Sequence, residues 1–251
     1  MQTPDTKPWH CGMYYAGQTL EWLPTDTKEN FEKLIRDPAH YQYFKNHGWL
    51  EPLAITYQIN QEGFRCEEFV SGTPCVVTLG CSYTVGIGLP LKDLWPTLVG
   101  KSLGLRVYNL SWGGNSIDTC FRLARYWIPR FKPQVVLMLA PPRARVEVST
   151  IERTSPPVEV FMPASCSSLF NSNDVFLKHW FGNEENHYLN QEKNMLAIES
   201  IAQKNGARYA TLQADQEGSC ARDTVGYARD YMHAGPVGHV MIAESLLNKI
   251  Q

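Results

Sequence analysis

The chain has 251 residues, a formal net charge of −2, 43% hydrophobic residues and 19% charged residues. These values fit one folded domain with a sizeable core and exclude a disordered chain. No basic run is present and no apolar stretch approaches the roughly 18 residues a membrane span needs, so neither a nucleic-acid nor a membrane partner is expected.

In chain order, residues 1–70 read as an N-terminal arm rich in aromatic and turn residues. Its first ten residues lack the charged-then-apolar pattern of a secretion peptide. A short helix is expected over Asn30–Ile35 and a strand over Ala54–Ile59, followed by a turn at Asn60–Gly63. Trp22, Phe31, Tyr43, Trp49 and Phe64 need burial, so the arm is expected to pack on the domain that follows, residues 71–251. That domain opens with Pro74–Gly80, an apolar run ending in glycine, which is the pattern of a buried parallel strand. A helix over Leu94–Leu103, a strand over Arg106–Leu110, a helix over Ser116–Phe131 and a strand over Gln134–Ala140 follow. This alternation predicts an α/β fold with a three-layer, doubly wound parallel sheet. Residues 147–185 break the rhythm and read as a loop insertion of the kind that forms binding lids. A helix over Glu192–Lys204, a strand over Arg208–Leu212 and a last helix over Val237–Lys249 complete the chain.

Three segments carry chemistry. In Thr78-Leu-Gly-Cys-Ser-Tyr-Thr-Val-Gly-Ile-Gly88 a strand ends, Gly80 turns the chain and Ser82 follows at once. In an open α/β sheet such a turn lies where ligands bind. The plain alternative is a serine capping a helix. In Val107-Tyr-Asn-Leu-Ser-Trp-Gly-Gly-Asn-Ser116 a second strand ends in a glycine turn, and Gly114 offers an unhindered backbone N–H. Read alone, this is a turn before a helix capped by Asn115 or Ser116. In Ala228-Arg-Asp-Tyr-Met-His-Ala-Gly-Pro-Val-Gly-His239, Asp230 lies three residues before His233. A carboxylate there can accept from Nδ1 and leave Nε2 free to deprotonate a hydroxyl. His239 falls in the last helix and reads as structural or as a support behind the site residues.

Taken together, a serine turn, a glycine turn and Asp-x-x-His before the last helix resemble the block order of the SGNH (GDSL-like) hydrolases, over roughly residues 55–148 and 205–248. Asn60-Gln-Glu-Gly-Phe-Arg65 is similar to an entry seen upstream of the serine block in some members. The Ala-Arg-Asp-x-Met-His pattern is similar to SGNH-like proteins of marine bacteria and their phages. The resemblance implies the flavodoxin-like SGNH fold. It makes Ser82 the nucleophile and Asp230 and His233 its activating pair, with the Gly114 N–H in the oxyanion hole and Asn109 structural. It also implies a carboxylic-ester hydrolase acting on small acyl esters, O-acetyl groups above all, including those on carbohydrate.

The sequence departs from the family pattern twice. Cys81 stands where the family has Asp; it reads as a packing residue, with a nucleophilic role as the lesser alternative. The third block lacks its Gly-x-Asn: the strand ends Ala140-Pro-Pro-Arg143, which sets Arg143, or else Asn115, in the place of an oxyanion donor. Losing one such donor costs about 2.7–4 kcal/mol of transition-state stabilisation. The rival expectation is therefore a weak or inactive SGNH-fold protein serving as a binding or structural part of an assembly; oligomeric state is left open. A nucleotide-binding reading of Gly80–Gly88 lacks both Lys-Ser/Thr and Gly-x-Gly-x-x-Gly. The 7 cysteines are scattered and form no CxxC pair, which predicts reduced thiols, a cytoplasmic setting (or a virion, for a phage-encoded chain), no metal site and no cofactor. Trp9, Tyr14, Tyr15, Trp22, Phe170, Trp180 and Phe181 are candidates for stacking on sugar rings, with simple packing as the alternative.

Overall fold

A continuous apolar strand can be buried only if both of its faces are covered, and that condition organises the fold. In this computed structural model, residues 7–51, 53–152, 158–164, 175–213 and 226–251 are described. The arm contributes two short strands, β1 (Thr19–Leu20) and β2 (Tyr57–Gln58), paired antiparallel. The domain contributes β3 (Cys75–Leu79), β4 (Arg106–Asn109) and β5 (Val135–Ala140), then β6 (Val146–Glu152), β7 (Val158–Ala164) and β8 (Arg208–Gln213). Strands β4, β3, β5 and β8 form one sheet in that spatial order, every neighbour parallel.

Alternate side chains of this sheet enter two cores. Val77, Leu79, Tyr108, Val136 and Met138 pack with Ile117, Leu123 and Ile128 of the helix Ile117–Phe131 and with Ile198 of the helix Glu184–Lys204. Val76, Val135, Leu137 and Leu139 pack with Trp95 and Val99 of the helix Trp95–Leu103 and with Ile242 and Leu246 of the helix Pro236–Lys249. The result is the expected three-layer α/β architecture. The connection from β3 runs to β4 on one side and the connection from β5 runs to β8 on the other. The crevice at this switch point therefore lies between the carboxyl ends of β3 and β5, where open α/β sheets bind ligands.

The arm builds a third core. Phe44, Trp49, Ile55 and Tyr57 pack with Val85, Ile87, Leu94, Trp112 and Ala228. Phe64 joins the first core instead. Within the arm, Thr27 Oγ1 accepts from Asn30 N–H at 3.1 Å and starts a helix over Lys28–Leu34, earlier than expected. The strand expected over Ala54–Ile59 shrinks to two residues. Leu53 has φ +61°, and the Thr56 carbonyl accepts from Arg65 Nη2 at 3.0 Å rather than from a ladder.

The expected loop insertion is corrected in part. Val146–Glu152 and Val158–Ala164 pair antiparallel, and helices cover Val175–Phe181 and Glu184–Lys204. The β-branched alternation in Val-Glu-Val-Ser-Thr-Ile favours a strand, and Asn183 caps the second helix by accepting from Glu185 N–H at 3.1 Å. No helix among the described residues is long and apolar enough to cross a membrane.

Candidate active site

Three chain segments meet at the crevice. Gly80 ends β3 with no room for a side chain: a Cβ there would lie 2.1 Å from Thr84 Oγ1 and 2.9 Å from the Leu139 carbonyl oxygen. The chain then enters a one-turn helix, Ser82–Val85, with Ser82 as its first residue. A first-turn N–H has no partner within its own helix. Beyond β4, the turn Trp112-Gly-Gly-Asn115 closes with Asn115 N–H donating to Trp112 O at 3.3 Å, and Gly114 takes φ +82°. Neither Ser82 N–H nor Gly114 N–H has an acceptor among the described residues.

The third segment, Gly226–Gly235, is folded on itself. Ala228 N–H donates to His233 O at 2.9 Å, and Tyr227 bridges Ala234. Asp230 explains the three-residue spacing. Its Oδ1 accepts from Met232 N–H at 3.0 Å and His233 N–H at 3.1 Å, which curls the backbone, and its Oδ2 meets His233 Nδ1 at 2.6 Å. Nδ1 facing a carboxylate carries the proton, so Nε2 is left as the acceptor. Burial pushes the Asp230 carboxyl up, but His233, the Thr25 hydroxyl and the Met232 N–H outweigh it and hold Asp230 below the usual carboxylate value. Gly88 makes the docking of this loop possible: a Cβ there would lie 2.9 Å from Arg229 N, and Gly88 O accepts from that N–H at 2.9 Å.

Ser82, His233, Gly113 and Gly114 line one cavity of about 330 Å³, with Leu23, Pro24, Thr25, Val85, Ile87, Trp112 and Arg145 around them. Among the described residues Ser82 Oγ makes no hydrogen bond, to His233 Nε2 or otherwise. The two groups share a cavity wall without being bonded. The Tyr83 ring packs edge-on against the His233 ring at 4.9 Å.

Two expected site residues do not reach the cavity. Asn115 is buried behind it, with Nδ2 donating to Gly80 O at 3.2 Å, so its amide ties the two turns together. Arg143 points into a separate cleft, where Nε donates to Gln191 Oε1 at 2.8 Å and the guanidinium lies 4.6 Å from the Tyr188 ring centre. A turn in which Arg145 N–H donates to Pro142 O at 3.1 Å presents Arg145 to the cavity instead. Cys81 is fully buried and does not line the cavity. Asn109 accepts from Thr78 Oγ1 at 3.2 Å and donates to Thr84 O at 2.9 Å, a structural use.

The aromatic platform is corrected as well. Tyr15 stacks on Trp112, Trp9 packs on Tyr14, Trp22 lies against Arg229, and Trp180 and Phe181 pack on His187; none of them lines the cavity. Phe170 lies outside the described residues. Among the described residues no cluster of His, Cys, Asp or Glu is placed to hold a metal ion, and Cys11, Cys66, Cys75, Cys81 and Cys120 are free thiols.

Two buried rings set an acid limit on the fold. His239 Nδ1 accepts from Trp95 N–H at 2.9 Å, and His10 stacks on Phe64 at 4.0 Å. Burial holds each ring down from 6.5 to about 3. The unfolded chain protonates both near 6.5 while the native one resists until about 3. Stability is therefore whole above pH 6.5 and falls as pH drops toward 3, by roughly 1.4 kcal/mol per pH unit per ring. Urea titrations between pH 7 and 4 are expected to show this slope, and His239→Gln is expected to reduce it by one proton's worth. A midpoint that does not change over that range contradicts the assignment.

Fold and cavity together define a doubly wound α/β protein with a serine, an imidazole–carboxylate pair and two backbone N–H groups without an acceptor among the described residues at the carboxyl edge of its sheet. No family model and no curated protein matches the sequence. Among solved structures the chain is similar to TesA, at 13% identity and a TM-score of 0.45, covering 70% of this chain and 98% of that one. It is also similar to the psychrotrophic esterase EstA from Pseudoalteromonas sp., at 11% identity and a TM-score of 0.36, covering 70% and 96%. Axe2, an acetylxylan esterase from Geobacillus stearothermophilus, matches at 15% identity and a TM-score of 0.34, covering 73% and 96%.

Proposed function

We propose that the protein is a serine hydrolase of SGNH type that cleaves small acyl esters. The observation that carries this reading is the 2.6 Å Asp230–His233 contact on a ring that shares its cavity with Ser82. Ser82 Oγ attacks the ester carbonyl, and its proton passes to His233 Nε2. Asp230 orients the ring and stabilises the imidazolium. The tetrahedral oxygen takes hydrogen bonds from Ser82 N–H and Gly114 N–H. Collapse breaks the ester C–O bond, and His233 returns the proton to the leaving alkoxide. Water, deprotonated by the same ring, then cleaves the acyl-enzyme and regenerates the serine.

The cavity supports the small-acyl part of the reading. It sits at the small end of ligand sites, and its apolar wall is built from Leu23, Val85, Ile87 and Trp112. The carbohydrate part has weaker support, since none of the expected stacking aromatics among the described residues borders the cavity. The expected outcome is hydrolysis of p-nitrophenyl acetate with kcat/KM at least about tenfold above that for p-nitrophenyl decanoate. Preference for the long chain would contradict the small-acyl reading. Absence of hydrolysis of either ester would favour the rival, a binding protein on the same fold, which the unbonded Ser82 hydroxyl also fits.

A further inference from the structure

The N-terminal arm reaches the imidazole–carboxylate pair directly. Thr25 Oγ1 donates to Asp230 Oδ2 at 2.6 Å, across 205 residues of sequence. This is the oxygen that also receives His233 Nδ1. Asp230 is 2% exposed, and Oδ1 is already engaged by two backbone N–H groups. Without the threonine hydroxyl, Oδ2 would hold the ring alone, with one lone pair unmet in the interior and the carboxylate freer to rotate.

Several contacts hold Thr25 in place. Asn30 Nδ2 donates to Thr25 O at 3.0 Å and to Asp230 O at 3.1 Å, clamping the two residues together. Asp26, the next residue, is paired with Arg229, the residue before Asp230. Leu23 N–H donates to Asp26 O at 3.2 Å and closes the turn. Inside that turn Thr25 sits at φ +76°, a region that a β-branched residue rarely adopts. Glycine would fit this backbone more easily. What glycine lacks is the hydroxyl, and that is the group aimed at Asp230.

We propose that Thr25 is a positioning residue: its hydroxyl fixes the Asp230 carboxylate and, through it, the His233 ring, so that the arm is part of the catalytic apparatus as well as a cover for the core. This rests on the hydrolase reading of His233 and Asp230. It is tested with Thr25→Val, which keeps the shape and removes the donor, Thr25→Gly, which removes the donor and relieves the backbone, and Thr25→Ser, which keeps the donor. Two readouts are taken: kcat and KM on p-nitrophenyl acetate, and the far-downfield proton NMR signal of His233 Nδ1–H.

Valine and glycine are expected to lower kcat about tenfold with KM within about twofold, the loss of one charge-assisted hydrogen bond. They are also expected to shift the Nδ1–H signal, while serine restores both readouts. The glycine variant is expected to melt no lower than the valine variant, which separates hydroxyl loss from unfolding. Wild-type kcat and an unmoved signal in the valine and glycine variants would overturn the proposal. So would a serine variant as impaired as valine. The NMR signal needs no turnover: an inactive wild-type protein would remove the hydrolase reading, and a signal moved by valine and restored by serine would still show the hydroxyl positioning the pair.

Discussion

Ser82→Ala is expected to lower ester hydrolysis on the order of 10⁴–10⁶-fold and to leave the fold intact. On the proposed mechanism the substitution removes the attacking atom, and it removes no side-chain hydrogen bond that supports the structure. Among the described residues Ser82 Oγ has no hydrogen bond to lose, so the change in unfolding free energy is expected to stay within about 0.5 kcal/mol. The residual rate reflects binding and the backbone N–H groups of residues 82 and 114, which the variant keeps. Steady-state kinetics alongside a urea titration separate the two effects. Unchanged turnover would place the nucleophile elsewhere, and a large loss of stability would give Ser82 a structural use that the contacts do not show.

Asp26→Ala is expected to destabilise the protein by about 3–5 kcal/mol, the cost of stranding one member of a buried ion pair. Asp26 Oδ1 and Oδ2 take Arg229 Nε and Nη2 at 2.8 and 2.6 Å, and both side chains are almost fully buried. Asp26 also accepts from the Tyr57 hydroxyl, which in turn accepts from Gly88 N–H at 2.8 Å. The network thus joins the arm, the end of the serine turn and the loop of Asp230. Alanine leaves a guanidinium and a phenol without their acceptor in a place water does not reach. Replacing both charges, Asp26→Leu with Arg229→Met, is expected to recover part of the loss: the desolvation cost of the pair disappears, while the Tyr57 hydroxyl still lacks its acceptor. Chemical denaturation of the two variants checks this; a single variant within about 1 kcal/mol of the parent would contradict it.

The sheet was legible because burial on both faces leaves a plain signature. Cys75-Val-Val-Thr-Leu79 and Val135–Ala140 are unbroken apolar runs, and the amphipathic period of Ile117–Phe131 marks the helix between β4 and β5. Each of the serine, glycine and Asp-x-x-His segments had a plain local reading of its own. The resemblance in their block order singled out Ser82, Asp230 and His233, and only the Asp230–His233 turn had a local rule behind it, a carboxylate close enough to fold onto its own imidazole. Thr25, Asp26 and Asn30 were not legible. Their partners lie some two hundred residues away in sequence, and Leu-Pro-Thr-Asp-Thr reads locally as an ordinary turn before a helix. Arg143 was set at the cavity by counting from the end of β5, but the turn from Pro142 to Arg145 moves the cation by two residues. The hairpin and the early helix start at Glu184 had signals, alternating β-branched residues and an Asn-Glu-Glu start, that the surrounding Ser, Pro and Asn residues obscured.

A fluorophosphonate, which captures only an activated serine, is expected to bond to one residue of this chain. Peptide mass mapping after labelling is expected to place the phosphonate on Ser82 in the parent protein. Labelling is expected to be lost in Ser82→Ala and to be strongly slowed in His233→Ala. No adduct on the folded parent, or an adduct on another serine that persists in Ser82→Ala, would rule out Ser82 as the nucleophile.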